Sequence, residues 1–267
     1  TYFARHAGEW DELRALHSAD VDVETRLAEA LSDAPLGHLL DIGTGTGRMA
    51  ELFAPHADRI VALDKNLEML RVARAKLQHL PASSIDLVQG DFADLPFADA
   101  SLDLIVLPHT LELSIDPHAT LREVERVLMP EGRVVIGGLN PTSLWGLRQR
   151  RARLYQRLGR GSLYLPDVGE FIGYRRLRDW LRLLSFEVES ARFGCYRPAV
   201  RSAQWLERFG WMDPLGERWW PILGAVYFLV AVKRVRGMHL LGPAWKPRRA
   251  GLKPVAVAQK HPLSKNR

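Results

Sequence analysis

The sequence predicts an α/β fold, a doubly wound and mostly parallel sheet with helices on both faces. One observation behind this prediction is that apolar runs of strand length alternate with segments of helical periodicity along residues 38–138. A second is the glycine-rich turn GTGTG directly after the first run, and a third is Asp64, which closes the second run. Strands that alternate with helices form right-handed βαβ units, which give a parallel sheet covered on both faces.

Five strands are predicted in the first half of the chain, at about residues 38–43, 59–64, 85–89, 102–107 and 132–138. The clearest helix between them is DPHATLREVERVL, because Asp116 can cap it and Pro117 suits its first turn. Its buried stripe is predicted to be Leu121, Val124 and Leu128. The segment PEGR then turns the chain into the fifth strand.

Two helices and two strands are predicted after Asn140. The first helix is arginine-rich and carries four leucines on one face, at Leu144, Leu147, Leu154 and Leu158. The second is amphipathic, with its apolar residues at Leu177, Trp180, Leu181 and Leu184. The runs FEVESARFGCY and ILGAVYFLVAVKRV favour two final strands, which we expect to pair as a hairpin at the sheet edge.

These patterns divide the chain into three parts. We expect a helical cap over residues 1–35, a main α/β domain over residues 36–240 and a basic, disordered tail over residues 241–267. The tail is punctuated by proline and lacks any period. Within the main domain, the arginine-rich segment 141–173 is expected to form an insertion or lid.

Composition favours a soluble globular protein in a reducing compartment. Apolar residues make up 47% and charged residues 25% of the chain, which are ordinary values. The single cysteine, Cys195, excludes an internal disulfide framework. The chain does not open like a signal peptide, and its longest apolar run, residues 219–232, is shorter than the roughly 20 residues that span a bilayer. We therefore expect a cytoplasmic protein.

Charge is distributed unevenly along the chain. Residues 1–140 carry 12 Lys/Arg and 23 Asp/Glu, residues 141–232 carry 15 and 8, and residues 233–267 carry 10 and none, so the net charges are −11, +7 and +10. A basic region of this kind suits RNA, an anionic membrane surface or an acidic small molecule, and a solvated helix face explains it equally well. The basic region contains six arginines close together in the sequence: Arg148, Arg150, Arg151, Arg153, Arg157 and Arg160.

The glycine-rich turn predicts a nucleoside site. Glycines between a strand and a helix let a ligand approach the backbone and the free N–H groups of the helix. The dinucleotide fingerprint G-x-G-x-x-G fails here, because its third glycine position holds Arg48, and no Lys-Ser/Thr pair follows to make a triphosphate loop. Asp64, at the end of the second strand, is placed to accept both hydroxyls of a ribose. At the end of the third strand, Asp91 can accept the amino group of adenine and Phe92 can cover its ring.

Together these segments resemble the class I S-adenosylmethionine-dependent methyltransferases, and specifically the type 11 group that includes ubiquinone and menaquinone methyltransferases. The matching segments occur in the family's order over about residues 36–140, as LLDIGTGTG, VALD, GDFADLPF, LDLIVLPHTLEL and VLMPEGRVVI. The resemblance implies S-adenosylmethionine as the cofactor. It also implies a seven-stranded sheet in the order 3-2-1-4-5-7-6, with strand 7 antiparallel.

The resemblance also assigns residues to each part of the cofactor. The assignments are Asp41, Gly43, Thr44 and Gly45 for the methionine end, Asp64 for the ribose, Asp91 and Phe92 for the adenine, and Leu107, Pro108 and His109 for the floor under the sulfonium. Lys65 is a further predicted cofactor-binding residue.

A candidate base follows the fourth strand, where acceptor and methyl group are expected to meet. His109 is suited to removing a proton, since histidine side chains titrate near neutral pH. Two interpretations stay open, a general base or a neutral residue that lines the pocket. Glu112 either orients the acceptor or is a surface charge on a helix.

The sequence lacks the residues that several more specific methyltransferase activities require. The fourth strand is followed by LPHT and not by the Asn/Asp-Pro-Pro-Tyr/Phe sequence of amino-group methylation, and the lone Cys195 argues against cysteine-dependent chemistry. The histidines show no metal-binding spacing, so no metal is predicted. The sequence thus predicts methyl transfer to a small-molecule or lipid-like acceptor. The alternatives are RNA methylation and a non-catalytic domain that binds the cofactor as a sensor or assembly partner.

Overall fold

The computed structural model describes residues 36–81, 83–159, 169–200 and 202–235, together with residues 27, 31, 163 and 165. These residues belong to one compact unit. The predicted tail over 241–267 lies outside the described residues, as does the predicted cap over 1–35 apart from Leu27 and Leu31.

A seven-stranded sheet forms the centre of the protein, in the order β3-β2-β1-β4-β5-β7-β6. The strands are β1 His38–Ile42, β2 Arg59–Asp64, β3 Ile85–Gln89, β4 Leu102–Pro108, β5 Leu128–Leu139, β6 Phe186–Gly194 and β7 Val226–Lys233. β7 pairs antiparallel with both β5 and β6, and the pairs among β1 to β5 are parallel. The predicted fold class and strand order are confirmed.

Seven α-helices connect the described strands. They are α1 Arg48–Phe53, α2 Leu67–Leu77, α3 Pro117–Val127, α4 Leu144–Arg157, α5 Tyr174–Leu183, α6 Ala203–Arg208 and α7 Met212–Trp219, followed by a 3-10 turn at Pro221–Leu223. The predicted cap of α3 is confirmed, because the Asp116 side chain accepts a hydrogen bond of 2.9 Å from the Ala119 N–H and Pro117 occupies the first turn.

Helices pack on both faces of the sheet, as predicted. On one face, Leu121 of α3 and Leu181 of α5 join the apolar cluster that includes Ile105. On the other face, Phe53 of α1 and Leu77 of α2 join a second cluster. Fully burying an apolar side chain stabilises a fold by about 1.5–3 kcal/mol, so each of the two clusters contributes to stability.

β5 starts earlier than predicted, at Leu128 and not near residue 132. Leu128 caps α3 but already has an extended backbone, with φ −75° and ψ 132°. The register with β4 shifts between Leu102 and Leu104, so residues 129–132 form an irregularity within the strand. Glu131 takes a left-handed backbone with φ 63° there. PEGR therefore lies within β5 and does not precede the strand.

The arginine-rich helix α4 presents its leucine stripe to solvent. Leu144, Leu147, Leu154 and Leu158 are all exposed, whereas Trp145 and Gln149 on the opposite side are buried. Within segment 141–173, residues 144–157 are therefore helical and pack on the protein through the face opposite the leucines.

Candidate cofactor and active site

The glycine-rich turn joins β1 to α1 at the carboxyl edge of the sheet. Gly43 has φ 75°, and a Cβ placed on it would lie 2.8 Å from Thr110 Oγ1, so this position requires glycine for both conformation and space. Gly45 has φ 57°, and a Cβ placed on it would meet nothing within 4 Å. The turn is thus packed against the protein at Gly43 and open at Gly45.

Asp64 is held against this turn. Its Oδ2 accepts a hydrogen bond of 2.9 Å from the Gly45 N–H, and its Oδ1 accepts one of 2.7 Å from the Asn66 N–H. Burial raises the pKa of the Asp64 carboxyl. Because each carboxylate oxygen can accept a further bond, Asp64 is oriented to receive a pair of hydroxyls beside the turn.

Asp41 lies fully buried at the end of β1. Its Oδ2 accepts a hydrogen bond of 2.6 Å from Thr44 Oγ1, and its Oδ1 has no hydrogen-bond partner among the described residues. Burial raises the pKa of Asp41 to about 7, and the nearby Asp64 carboxylate adds to this effect. A buried carboxylate oxygen without a partner is costly, so this atom is suited to a cationic group of a ligand.

Lys65, Asp91 and Phe92 form a small group at the ends of β2 and β3. The Lys65 ammonium lies 2.9 Å from Asp91 Oδ1 and 4.7 Å from the centre of the Phe92 ring. The Ala93 N–H and Lys65 lower the pKa of the exposed Asp91. Phe92 is buried in the core cluster. The structure brings these three predicted residues together, with Lys65 over the aromatic ring.

The segment after β4 has an unusual backbone. Leu107 is fully buried and Pro108 is partly buried, and the next residue, His109, has a left-handed backbone with φ 56°. Such a conformation is uncommon for non-glycine residues and often marks a functional site. The His109 N–H donates to the Gly137 carbonyl at 3.0 Å, and Thr110 Oγ1 donates to the Ile42 carbonyl at 2.5 Å. These bonds fix His109 beside the glycine-rich turn.

His109 faces a buried carboxylate. Its side chain is 43% exposed, but its Nδ1 is buried and lies 3.9 Å from Glu112 Oε1. Glu112 is 4% exposed, and its Oε1 accepts a hydrogen bond of 2.6 Å from the Leu139 N–H. Its Oε2 has no hydrogen-bond partner within the described part of the chain. The interpretation of Glu112 as a surface charge is therefore wrong.

An aromatic wall lies beside Glu112. The Tyr227 hydroxyl donates to the Ile172 carbonyl at 2.7 Å, and burial, with a smaller contribution from Glu112, strongly raises its pKa. The rings of Tyr174, Phe193 and Tyr227 lie with their centres 5.5–6.4 Å apart. Sequence reasoning missed this wall, because its members come from segments that are distant along the chain.

A separate depression of about 200 Å³ lies at the opposite edge of the sheet. It is lined by residues at the amino ends of β4 and β5, including Asp103, Leu104 and Arg133, and by none of the predicted site residues. The predicted site residues lie at the carboxyl edge. Among the described residues, no group of His, Cys, Asp and Glu is arranged to hold a metal ion.

Comparison with known proteins identifies the family of this chain. A family model described as a methyltransferase domain matches residues 40–136. The demethylmenaquinone methyltransferase of Thermotoga maritima is 34% identical over 176 residues, which cover 64% of this chain and 70% of that protein. The chain belongs to the type 11 class I S-adenosylmethionine-dependent methyltransferases. S-adenosylmethionine is the cofactor of this family, as the sequence predicted.

Other similar proteins extend the comparison. The uncharacterised protein YafS of Escherichia coli is 47% identical over 107 residues, but this match covers only 40% of this chain and 42% of YafS. Among solved structures, Bacillus subtilis YcgJ has a TM-score of 0.59 at 20% identity, over 79% of this chain and 98% of YcgJ. A methyltransferase solved in complex with the Haloferax volcanii activator Trm112 has a TM-score of 0.61 at 21% identity, over 87% of this chain and 98% of that one. The structural matches support the methyltransferase fold.

Proposed function

We propose that this chain transfers a methyl group from S-adenosylmethionine to a small, lipid-like acceptor at the carboxyl edge of the sheet. The observation that carries the proposal is the position of His109 and the buried Glu112 beside the cofactor turn. Thr110 joins the two parts, since its side chain contacts both Gly43 and the end of β1.

The described residues suit the parts of the cofactor. The unpaired Oδ1 of Asp41 fits the α-ammonium group, and the oriented carboxylate of Asp64 fits the ribose hydroxyls. Gly45 leaves the open space in which the cofactor can approach the backbone. When bound, the cofactor supplies a methyl group on a positively charged sulfur. Most of the rate of such an in-line transfer comes from holding the acceptor close and aligned.

His109 is the proposed base for an acceptor that must lose a proton. With its Nδ1 turned toward Glu112, the neutral ring would carry its proton on Nδ1 and leave Nε2 free to accept one. The separation of 3.9 Å exceeds a hydrogen bond, so a small rotation of the ring or a bridging water would complete the pair. Glu112 is then a positioning residue, whose charge also stabilises the imidazolium that forms.

A quinone-type acceptor is the first class to test. The Thermotoga maritima relative is named for demethylmenaquinone. In this chain, the aromatic wall of Tyr174, Phe193 and Tyr227 lies beside Glu112, and Phe193 and Tyr174 are only partly buried. An aromatic wall next to a base suits a flat ring that carries an ionisable hydroxyl.

The test is a transfer assay with methyl-labelled cofactor and the purified full chain. We expect label to enter a short-chain demethylmenaquinone analogue that dithionite keeps in the hydroquinone form, where a ring carbon gains the methyl group and loses a proton. We expect Glu112→Gln to lower this transfer while cofactor affinity is retained. Label that enters RNA and not the quinone would support RNA methylation. Tight cofactor binding without transfer to a quinone, a metabolite extract or RNA would support a non-catalytic sensor.

A further inference from the structure

We propose that this chain docks on the surface of an anionic phospholipid bilayer through an apolar, arginine-flanked surface at the same edge as the cofactor site. We define this docking surface as the exposed apolar residues of α4 and of the segment from α6 to the 3-10 turn. Its members are Leu144, Leu147, Leu154, Tyr155, Leu158, Trp205, Trp211, Leu215, Trp219, Trp220, Ile222 and Leu223. The docking itself is independent of the proposed methyl transfer, and only its role in delivering a lipid-like acceptor rests on that function.

The amount of exposed apolar side chain is unusual. Leu158 is 69% exposed and Trp219 is 70% exposed, and four of the eight tryptophans of the chain belong to the docking surface. Single exposed apolar residues are normal, but clusters of large ones mark interaction sites. Tryptophan is the residue type most suited to the boundary of a bilayer, because its ring is apolar and its N–H is polar.

The two parts of the docking surface adjoin. The Asn140 side-chain amide, just before α4, donates hydrogen bonds of 2.8 Å to the carbonyls of Ile222 and Gly224. The buried ring of Trp145, in the first turn of α4, donates 2.9 Å to the Arg197 carbonyl. The beginning of α4 is therefore fastened to the segment that carries the exposed tryptophans.

Strand directions place this surface at the cofactor edge. Leu139, at the end of β5, pairs with Val226, at the start of β7, and Gly194, at the end of β6, pairs with the same residue. α4 follows β5, and the tryptophan segment connects β6 to β7, so both leave the sheet at its carboxyl edge. A bilayer at this surface would lie on the side of the molecule from which an acceptor reaches His109.

The positive charge of α4 favours an anionic bilayer as the partner of the docking surface. α4 contains five arginines and no acidic residue, and Arg148, Arg150, Arg151 and Arg157 are exposed around its leucine stripe. Arginine stems can lie along apolar chains while their heads meet phosphate. An amphipathic helix with a basic polar face and apolar residues opposite lies in the plane of a membrane interface. Among the described residues, no helix is long and apolar enough to cross the bilayer.

RNA fits the same charges less well. Stacking on aromatic rings and contacts to phosphate would employ the tryptophans and arginines, but they would leave the four leucines of α4 exposed. Insertion into an interface buries leucine, tryptophan and isoleucine together, so the bilayer explains more of the surface.

The experiment measures co-sedimentation of the full chain with vesicles of phosphatidylcholine alone and with added phosphatidylglycerol. We expect at least tenfold tighter binding to the anionic vesicles. Trp211→Ala with Trp219→Ala should weaken it at least tenfold, and so should Arg150→Glu with Arg157→Glu, because apolar insertion and charge act together. Matched controls on α5, Leu183→Ala and Arg175→Glu with Arg182→Glu, change exposed residues outside the surface and should alter binding by less than twofold.

Three results would overturn the proposal. They are no binding to anionic vesicles at low salt, equal losses in the docking and control variants, and complete displacement of the protein by excess polyuridylate. Failure of the methyl transfer is distinguishable. A chain that binds vesicles but transfers no methyl group contradicts the proposed function alone, and one that methylates a water-soluble quinone analogue but ignores vesicles contradicts the docking alone.

Discussion

The two halves of the molecule differ in whether the apolar residues of their helices are buried or exposed. In residues 36–140, the helices α1, α2 and α3 bury their apolar faces on the sheet. In residues 141–235, α4 and α7 present large apolar side chains to solvent. Net charge follows the same division, with 9 Lys/Arg and 15 Asp/Glu over residues 36–140 (−6) and 17 Lys/Arg and 8 Asp/Glu over residues 141–235 (+9). The family model matches only within the first half, over residues 40–136. We infer that the first half holds the cofactor and the reacting groups, whereas the second half determines where and on what they act.

The largest expected effect lies in the reacting groups of the first half. His109→Ala should lower turnover by about 10²–10⁴-fold and leave cofactor affinity nearly unchanged, because it removes the proposed base and keeps Asp41, Gly45 and Asp64, the proposed cofactor contacts. Steady-state kinetics and calorimetry measure the two quantities. The matched control is His79→Ala, which changes an exposed histidine on α2's carboxyl side.

The Glu112→Gln variant tests whether Glu112 positions His109. If Glu112 positions His109 for proton removal, this variant should have a lower kcat and a nearly unchanged KM for the cofactor, a split that a purely structural role would not produce. A His109→Ala enzyme as active as the wild type at every pH would return His109 to the role of a pocket-lining residue.

The next effect concerns cofactor affinity. Asp64→Ala should weaken S-adenosylmethionine binding about ten- to hundredfold, because hydrogen bonds to a charged group contribute about 1.5–3 kcal/mol each. Asp86→Ala is the control, since Asp86 lies at the edge of the same sheet and pairs only with the exposed Arg59 among the contacts described for its side chain. Calorimetry that finds equal affinities for the wild type and Asp64→Ala would contradict the assignment of the ribose site.

A third prediction uses the titration of Asp41. Its pKa of about 7 means that the carboxyl is mostly protonated at pH 6 and mostly ionised at pH 8. If its ionised form binds the ammonium group, affinity for the cofactor should rise about tenfold over this interval. Asp41→Asn should have weaker binding that hardly depends on pH.

The Asp41 carboxyl also makes the stability of the folded protein depend on pH, in a direction that follows from its raised pKa. The folded pKa of Asp41 is raised above the value of 3.8 that an unperturbed carboxyl has. The unfolded chain therefore releases this proton first, so the free protein should lose stability as pH rises from about 4 to 7, by on the order of 4 kcal/mol. Thermal unfolding of Asp41→Asn should lack that loss, and an identical pH dependence in both proteins would contradict the raised pKa.

The smallest effect concerns the predicted tail in the second half. Deletion of residues 243–267 removes seven Lys/Arg and no acidic residue. We expect cofactor affinity to stay within twofold and binding to anionic vesicles to weaken severalfold, with a shallower salt dependence. A deletion that abolishes vesicle binding while the docking surface is intact would move the docking function from α4 and α7 to the tail.

Prediction from sequence succeeded where a local pattern decides the structure. The first four strands and the cap of α3 follow from motifs that lie within a few residues of each element. The early start of β5 was missed, because Pro and Gly are typical turn residues, whereas the strand continues through them with a left-handed backbone at Glu131.

Contacts between distant segments account for the remaining misses. Glu112 is buried where the N–H of Leu139, 27 residues later, donates to it. No residue close to Glu112 in the sequence indicates this contact. The leucines of α4 share a face, as predicted, but only packing shows that Trp145 and Gln149 occupy the inner side. Periodicity shows which residues share a helix face, but it does not show whether that face packs on the protein or is exposed to solvent.

The hydrogen bond from Thr110 to the Ile42 carbonyl has a consequence for the order of events. It fastens the segment that carries His109 to the strand that carries the cofactor turn. A cofactor that orders the turn would therefore also restrict the motion of residues 109–112 before any acceptor arrives. Amide hydrogen exchange over these residues should slow when the cofactor is added, and the enzyme should follow a compulsory order in which the acceptor enters second.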